Sequence, residues 1–562
     1  MNAPQPFENT PENTLHATTL HRHLRAISAV TATLCALLGL SLLLLPGCPK
    51  APADAPGADA TTPAGGSVET VAVAAPAPPL DGWEQPAVAI VLSGEQHGYV
   101  EPCGCSETQS GGLARRHDLF KQLRARGWTV AGYDLGGALK RTREQSELKW
   151  QFTRNALDEM GYAAAAIGKE ELALGADRLF LTHTNAEAGE GYRDGFDLPM
   201  LSANVVVYGD RSVGMPETHR IDKYAGTDSA DGDTLTVGVT AIVGEEYAAA
   251  LQGDPTLLRV EPAAESLQPV LAAFDEAQCD VRILLSHAKP SESRALAERF
   301  PQFDLIVTAD GPEDPGPEPE AIAREGRSDA LLLRVSQKGK YVGVVGVYPT
   351  GSGEPELRYE LVNLDKDRFA TSPEMVEWMR VYQDELKERD LAAARDAIPH
   401  PRGTGYVGAK ACGACHTKAY AIWSKSRHAQ AFDSLAHGRE GTKDWWVDRS
   451  FDAECLACHV TGWAPQEIER FEGGFVSADQ TPHLVGNGCE NCHGPGEAHT
   501  QLETDLLAGG DFTEAHREQR QAVKLSKATA AADVCSKCHD LDNSPQFNFD
   551  LYWPKVEHVG RD

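Results

Sequence analysis

The sequence is poor in positive charge. Its 562 residues include 52 Lys and Arg against 82 Asp and Glu, so the formal net charge is −30. This balance argues against nucleic acid or an anionic membrane surface as a binding partner, because both repel an acidic protein. A redox or other protein that docks on the chain is expected to offer a basic patch. The length exceeds one typical domain and predicts two or three folded units.

Cysteine is scarce outside one recurring pattern. Eight of the 13 cysteines lie in four C-x-x-C-H motifs in the last third of the chain. In this pattern the two thiols form thioethers with a c-type haem, and the adjoining histidine binds the iron as proximal ligand. Zinc knuckles and redox dithiols do not need a histidine after every second cysteine. Four covalent haems are therefore predicted at Cys412, Cys415 and His416, at Cys455, Cys458 and His459, at Cys489, Cys492 and His493, and at Cys535, Cys538 and His539.

Apolar runs are few in residues 405–562. Four macrocycles are expected to supply much of the core of this small domain, with short helices and loops around them. Some irons also need a second, distal ligand. His428 lies twelve residues beyond His416, about 18 Å along a helix, so it is expected to ligate a neighbouring haem rather than the first. The candidate distal histidines are His428, His437, His483, His499, His516 and His558.

Several stretches around these histidines resemble the tetrahaem cytochrome c-554 family, which serves electron transfer from hydroxylamine oxidation. The resemblance implies three bis-histidine haems and one five-coordinate haem, with His428, His499 and His558 as distal ligands. The other three candidates are then expected to be surface residues. The matching stretches are Tyr406-Val407-Gly408, Trp423-x-x-Ser426-Arg427-His428, Cys489-Glu490-x-Cys492-His493, Gly494-Pro495-Gly496-x-x-His499 and Tyr552-Trp553-Pro554-x-x-x-His558.

Residues 1–47 have the layout of a signal peptide, with a basic flank before the apolar run Ala26–Leu45. The run ends in Leu-Pro-Gly-Cys, which resembles a bacterial lipobox with Cys48 as the lipidated N-terminus. This predicts an extracytoplasmic, membrane-anchored lipoprotein, periplasmic or at the outer membrane. An uncleaved apolar anchor is the alternative. Residues 48–85 are predicted to be a disordered, Ala- and Pro-rich tether.

Strand-like and helical patterns alternate through residues 86–362, which predicts a layered α/β domain. The strand-like runs are Ala87–Leu92, Thr129–Tyr133, Ala163–Ile167, Pro199–Val206, Thr234–Val243, Val281–Ser286, Leu305–Val307, Lys338–Tyr348 and Glu356–Val362. Residues 363–404 are predicted to be a connector, with one charged helix over Pro373–Ala397. The expected fold is therefore an α/β domain followed by a small, mainly α, haem-packed domain at residues 405–562.

The α/β domain resembles the metallophosphoesterase fold, especially its 5′-nucleotidase-like branch. In active members, matching stretches carry D-x-H, G-D, G-N-H-E, a lone His and G-H-x-H, and they hold two metal ions that activate water on a phosphate. The stretches in this chain are Val91–Gly98, Tyr133–Gly137, Ile167–Glu171, Leu201–Val205, Leu284–His287 and Asp304–Gly311.

Most metal ligands of that family are replaced here. Glu95 aligns with the first aspartate and Gly137 with the second, and Lys169-Glu170 replaces the Asn-His pair. Only His97 and His287 are kept. The sequence therefore predicts the fold without its usual hydrolytic chemistry.

Cys103 and Cys105 are separated by one glycine and follow the first of these stretches. One interpretation is an additional, non-haem metal site that combines the two thiols with His97 and His287. The other is a strained or redox-active disulfide. The sequence does not separate them. Cys279 is expected to be a small buried apolar residue.

The sequence thus predicts an exported tetrahaem cytochrome that carries electrons between periplasmic or membrane redox partners. One alternative is a haem enzyme, a multihaem oxidoreductase that acts on a small nitrogen or sulfur species at an open iron. The other is a live phosphoesterase built around Glu95, His97, Asp134 and His287.

Overall fold

The computed structural model describes residues 77–102, 109–184, 198–211, 215–225, 234–350, 353–403, 405–443 and 445–558. The predicted signal segment, Cys48, most of the tether, Cys103 and Cys105 lie outside these residues. Within the described ranges, no helix is both long and apolar enough to span a bilayer.

Two six-stranded sheets form the centre of the α/β region, which is defined here as residues 77–363. Its strands are β1 (Val88–Ser93), β2 (Val130–Asp134), β3 (Tyr162–Ala166), β4 (Met200–Leu201), β5 (Val205–Val207), β6 (His219–Ala225), β7 (Thr234–Val243), β8 (Leu258–Val260), β9 (Val281–His287), β10 (Leu305–Thr308), β11 (Glu320–Ile322), β12 (Ala330–Arg334), β13 (Tyr341–Tyr348) and β14 (Glu356–Asn363). The first sheet has the order β14-β13-β1-β2-β3-β4, and the second has the order β11-β12-β10-β9-β7-β6.

Helices cover the outer faces of the two sheets. They are α1 (Leu113–Ala125), α2 (Glu144–Met160), α3 (Lys169–Leu172), α4 (Gly175–Thr184), α5 (Glu245–Ala250), α6 (Ala263–Glu276) and α7 (Pro290–Arg299). Residues of α1 and α2 share one core with the first sheet. Residues of α6 and α7 share another core with the second sheet.

Strand β1 lies at the centre of this packing, so all its residues are buried. Successive side chains of a strand point to opposite faces. Ala89 and Val91 therefore pack against Phe120 of α1, whereas Ile90 packs between the sheets with Leu285 of β9. The order of layers is helix, sheet, sheet, helix. The predicted layered α/β class is confirmed.

Some predicted bounds differ from the structure. The strand predicted at Pro199–Val206 is divided into β4 and β5, because Ser202 and Asn204 hydrogen-bond to each other and Asn204 also donates to the Val243 carbonyl. Strands β6, β8, β11 and β12 were not predicted. Packing also begins before residue 86, since Leu80 is buried in the core.

The connector helix α8 (Pro373–Arg389) is shorter than the predicted Pro373–Ala397. Asp390 follows it with φ 48°, and this left-handed conformation ends the helix. Buried Met379 and Tyr382 attach α8 to the core that contains α1 and α2. The connector therefore packs on the α/β region.

The haem-motif region, residues 405–558, is small and mainly helical, as predicted. Its elements are α9 (Ala409–Gly413), α10 (Thr417–Trp423), α11 (Ala431–His437), α12 (Ala453–His459), β15 (Trp463–Ala464), β16 (Glu469–Arg470), α13 (Cys489–His493), α14 (Glu497–Leu507), α15 (Glu514–Ala522), α16 (Lys527–Thr529) and α17 (Phe549–Tyr552). One apolar cluster surrounds α12 and the β15–β16 hairpin. Helices α10, α14 and α17 bury no residue.

Candidate haem-binding site

Each C-x-x-C-H motif lies on a helical turn. The second and third motifs lie within α12 and α13, the first begins in α9, and the fourth follows a π-helical turn at Ala530–Val534. In the first and fourth motifs the histidine amide donates to the carbonyl of the first cysteine at 2.9 Å. Helical residues three or four positions apart share one face. Both thiols and the imidazole of a motif can therefore address one macrocycle.

Three motif histidines face a second histidine from elsewhere in the chain. The ring centroids of His416 and His499 are 6.3 Å apart, and the rings lie 22° from parallel. His428 lies 6.1 Å from His539 of the fourth motif. His558 lies 5.8 Å from His493 of the third motif. All three histidines named as distal ligands by the family resemblance thus lie opposite a motif histidine.

These separations fit a haem iron between each pair of rings. A metal–imidazole bond is about 2 Å long, which places the two ligating nitrogens about 4 Å apart and the ring centres about 6 Å apart. Exposed apolar side chains are concentrated in the same region of the chain. Of the eight large apolar side chains exposed among the described residues, seven lie in the haem-motif region: Ile422, Trp445, Leu507, Phe512, Leu541, Leu551 and Tyr552.

Hydrogen bonds orient several of these imidazoles. His493 donates its Nδ1 proton to the Val523 carbonyl at 2.7 Å, and His558 donates to Val556 at 2.9 Å. His539 Nδ1 lies 3.0 Å from the Ser544 hydroxyl. A carbonyl only accepts, so in His493 and His558 the proton is on Nδ1 and Nε2 is left to bind iron.

Burial keeps the rings neutral, which is the form that ligates a metal. It lowers the pKa of five of the seven histidines predicted to bind iron, and these five are His428, His459, His493, His499 and His539.

His459 of the second motif differs from the other three motif histidines. It donates Nδ1–H to the Ala431 carbonyl at 2.7 Å, which fixes its ring. Among the described residues, no histidine ring faces it. A haem attached at Cys455 and Cys458 would therefore have one protein ligand on its iron. This is the count of three paired sites and one unpaired site that the resemblance implies.

The remaining candidate histidines are not paired with a motif histidine. His437 and His483 are exposed, as expected. The expectation for His516 is wrong, because only 3% of it is exposed. Its Nδ1 lies 2.8 Å from the Thr513 hydroxyl, and its Nε2 lies 3.1 Å from the Leu502 carbonyl. These contacts join α14 to α15.

The four motifs follow one another in space in an order that differs from the chain order. Helix α9 of the first motif contacts helix α13, so the first motif lies beside the third. Cys458 and Cys538 lie close enough to interact, so the second motif lies beside the fourth. Helix α13 of the third motif contacts the π-helical turn before the fourth. The spatial order is first, third, fourth, second.

A second polar cluster lies in the α/β region, at the carboxyl ends of β1, β3, β9 and β10. It contains His97 and His287, the two histidines that match the metallophosphoesterase pattern, and Glu170 lies between them. His97 Nε2 is 3.7 Å from Glu170 Oε1, and His287 Nε2 is 3.6 Å from Glu170 Oε2. Glu95 is fully buried and accepts the Asp310 amide at 3.0 Å.

Lys169 supplies positive charge to this cluster. Its ammonium lies 3.1 Å from Asp310 and 3.8 Å from Glu170. Burial alone would lower the pKa of His287, but the neighbouring carboxylates of Glu170, Glu171 and Glu95 outweigh it, and the pKa is raised. The Lys169 ammonium thus offsets the charge of the Asp310 and Glu170 carboxylates, which would otherwise attract a metal cation.

The other predicted ligands do not complete a metal site. Asp134 is turned away and accepts from Ser93 at 2.6 Å and from the Gly136 amide at 2.9 Å. A Cβ on Gly137 would lie 3.2 Å from the His287 ring, on a backbone with φ 76°. No group of three or more His, Cys, Asp or Glu side chains in the described part of the chain is arranged to hold a metal ion. Cys103 and Cys105 lie outside the described residues, so the predicted non-haem site at His97, Cys103, Cys105 and His287 stays a prediction.

The loop after the fourth motif contacts the α/β region through Asp542. Tyr99, two residues beyond His97, donates to Asp542 at 2.6 Å, and Lys338 also hydrogen-bonds to Asp542. The Lys140 ammonium lies 3.7 Å from the same carboxylate. The haem-motif region thus contacts the α/β region close to His97.

Comparisons with known proteins agree with the sequence resemblances. Residues 411–494 match the family model described as cytochrome c554 and c-prime. Cytochrome c-554 of Nitrosomonas europaea is 30% identical over 143 residues, which cover 24% of this chain and 53% of that protein. The chain thus spans about half the length of this curated relative. The haem-motif region is that of a c-type cytochrome, and its family model implies covalently bound haem.

The α/β region is similar in fold to two solved structures. A 5′-nucleotidase precursor from Thermus thermophilus has a TM-score of 0.46 and 20% identity, with 61% of this chain and 67% of that chain covered. A calcineurin-like phosphoesterase from Bacillus subtilis has a TM-score of 0.43 and 16% identity, with 54% and 98% covered. These similarities concern the fold alone.

Proposed function

We propose that this chain is an exported tetrahaem cytochrome that transfers electrons between redox proteins, and that its α/β region does not hydrolyse phosphate esters. One observation carries the proposal. Three motif histidines each face a second histidine at 5.8–6.3 Å between ring centroids. Such pairs suit six-coordinate, low-spin iron, which changes little between oxidation states.

The order of the motifs supports a relay. Bound haem supplies one-electron redox chemistry, and the protein sets the distance between neighbouring haems. Adjacent motifs, in the order first, third, fourth, second, give each predicted haem a near neighbour. Electrons would then enter at one end of the row and leave at the other.

The unpaired His459 favours a second candidate function. A haem with an open position binds small ligands, and the polar groups around it decide which. A haem enzyme acting on a small nitrogen or sulfur species is therefore the alternative to a pure electron carrier.

The case against hydrolysis rests on the charge at the cluster and on a contact near it. Lys169 offsets the carboxylate charge where the family has a metal ligand, and the haem-motif region contacts Tyr99, two residues from His97. Full-length holo-protein is therefore expected to show no metal-dependent phosphatase activity. Metal-dependent turnover that is lost in His97→Ala would refute this part of the proposal.

The charge of the partner depends on where it docks. The acidic chain as a whole suits a basic protein. The stretch 405–432 around the first motif is different, since it carries Lys410, Lys418, Lys425 and Arg427 and no carboxylate. All four of these side chains are exposed. An acidic partner would be steered to this end of the row.

The export part of the proposal rests on the sequence of residues 1–48. Lipidation at Cys48 would anchor the protein outside the cytoplasm. Labelling of growing cells with a radioactive fatty acid is expected to mark the wild-type protein and not Cys48→Ser. Equal labelling would contradict the lipoprotein assignment, and an unprocessed N-terminus would favour the uncleaved anchor.

The experiment that tests the haem assignment is an EPR spectrum of the oxidised holo-protein, followed by CO addition to the reduced form. Three low-spin haems and one high-spin haem that takes CO are expected. Four low-spin haems without CO binding would leave only the electron carrier. Fewer than four haems by pyridine haemochrome assay would refute the tetrahaem assignment.

A further inference from the structure

Helix α12, which carries the second motif and the unpaired His459, begins in a contact with the α/β region. Asp452 caps this helix, and its carboxylate accepts the Glu454 amide at 2.9 Å. Two side chains from outside the haem-motif region hold the same carboxylate. Gln145 of α2 donates to it at 2.6 Å, and Gln383 of α8 donates to it at 3.0 Å.

The groups in this contact are shielded from water. Gln145, Gln383 and Asp452 are 2%, 4% and 4% exposed. Buried hydrogen bonds to a charged group are costly to break, because the charge is left without solvent or partner. The contact therefore fixes the start of α12 against α2 and α8.

A lysine completes the contact. Lys149 lies one helical turn beyond Gln145 on α2, and its buried side chain forms an ion pair with the partly exposed Glu454. Glu454 directly precedes Cys455, the first thiol of the second motif. The charge of Lys149 thus lies beside the attachment point of one predicted haem. The next motif in space has a similar contact, through Asp542 with Lys338.

We propose that the α/β region acts as a positioning element for the haem at α12, with Lys149, Gln145 and Gln383 setting the orientation of this helix and the charge beside its haem. The inference rests on the proposed haem assignment. Lys149 acts through Glu454 and α12, so it is a positioning residue. In this role the α/β region adjusts the reduction potential of the haem at α12.

The positive charge of Lys149 predicts the direction in which the reduction potential of the α12 haem changes when the lysine is replaced. Removal of the ammonium leaves the Glu454 carboxylate uncompensated, and a nearby negative charge favours ferric over ferrous iron. In Lys149→Gln the reduction potential of the α12 haem is therefore expected to fall, while the other three potentials stay unchanged. Lys149→Arg restores the charge and is expected to restore the potential.

The test is a reductive titration of full-length holo-protein monitored by EPR, so that each haem is followed by its own signal. Lys121→Gln is the matched control, because Lys121 also pairs with a carboxylate at α8 but lies away from α12. A fall in one potential, reversed by Lys149→Arg and absent in Lys121→Gln, supports the proposal. No change, or an equal change at all four haems, overturns it.

Glu454→Gln tests the same idea with the opposite sign. It removes the carboxylate and is expected to raise the reduction potential of the α12 haem. This variant also serves as the test if Lys149→Gln does not accumulate as holo-protein. An unchanged potential in Glu454→Gln overturns the proposal. The α12 haem is identified independently by its loss in a Cys455→Ala, Cys458→Ala variant. An absent high-spin signal in the wild type would therefore count against the open site and not against the positioning role.

Discussion

Histidine is used differently in the two regions of this protein. In the α/β region, His97 and His287 flank a carboxylate, and a lysine supplies the cation. In the haem-motif region, histidine rings face one another at a distance that suits one shared metal ion. Backbone carbonyls accept hydrogen bonds from Nδ1 of His459 and His493. In the first arrangement, carboxylates and a cation lie close to one another. In the second, pairs of imidazole rings lie at a separation that suits one shared metal ion.

The largest predicted effect comes from removing a haem attachment. In Cys489→Ala with Cys492→Ala, the third motif loses both thioether bonds, and the intact mass is expected to fall by one covalent haem. Mass spectrometry measures this directly. The control is Cys279→Ala, since Cys279 is buried in the α/β region. A wild-type haem content in the Cys489, Cys492 variant would contradict the assignment.

The next effect concerns one histidine pair. Replacing His428 by Ala removes the ring opposite His539, and the fourth haem is expected to become high-spin and to bind CO. EPR and CO difference spectra should then show two high-spin haems that bind CO instead of one. His437→Ala, at an exposed histidine paired with Asp433, should leave the count unchanged. A loss of the first haem's low-spin signal instead would mean that His428 serves another iron.

A smaller effect is expected from the α/β cluster. Lys169→Met removes the ammonium beside Asp310 and Glu170, so these carboxylates lose their compensating charge. The free energy of unfolding is expected to fall by about 1–3 kcal/mol. Chemical denaturation measures this, with exposed Lys366→Met as a control expected to change it by less than about 0.5 kcal/mol. An unchanged stability would show that Lys169 is not the balancing cation.

The smallest effect is a pH dependence at Asp542. Burial alone would raise the pKa of Asp542, but hydrogen bonds from Lys338 and Tyr99 outweigh it and the pKa is lowered. The carboxylate therefore stabilises the fold above the ordinary aspartate pKa of about 3.9, and this contribution is lost as the pH falls further. Asp542→Asn should be less stable than wild type at pH 7. The difference should shrink below about pH 4, and a constant difference would contradict this account.

The C-x-x-C-H motifs could be identified from the sequence because each carries its signal within five positions. The family resemblance indicated the three histidines that face motif histidines in the structure. The layered α/β class followed from alternating strand and helix patterns. Contacts between distant segments carried no such signal. Gln145 and Asp452 are 307 positions apart, and nothing near either residue indicates that they meet. His516 was misjudged for the same reason, because Leu502 and Thr513 decide its burial.

The apolar cluster around α12 has a consequence for maturation of the protein. This segment has a protein core of its own, whereas α10, α14 and α17 bury no side chain. A chain that has received only its second haem can therefore already fold there against the α/β region. The segments around the other motifs bury few side chains of their own, so their folding is expected to depend on bound haem.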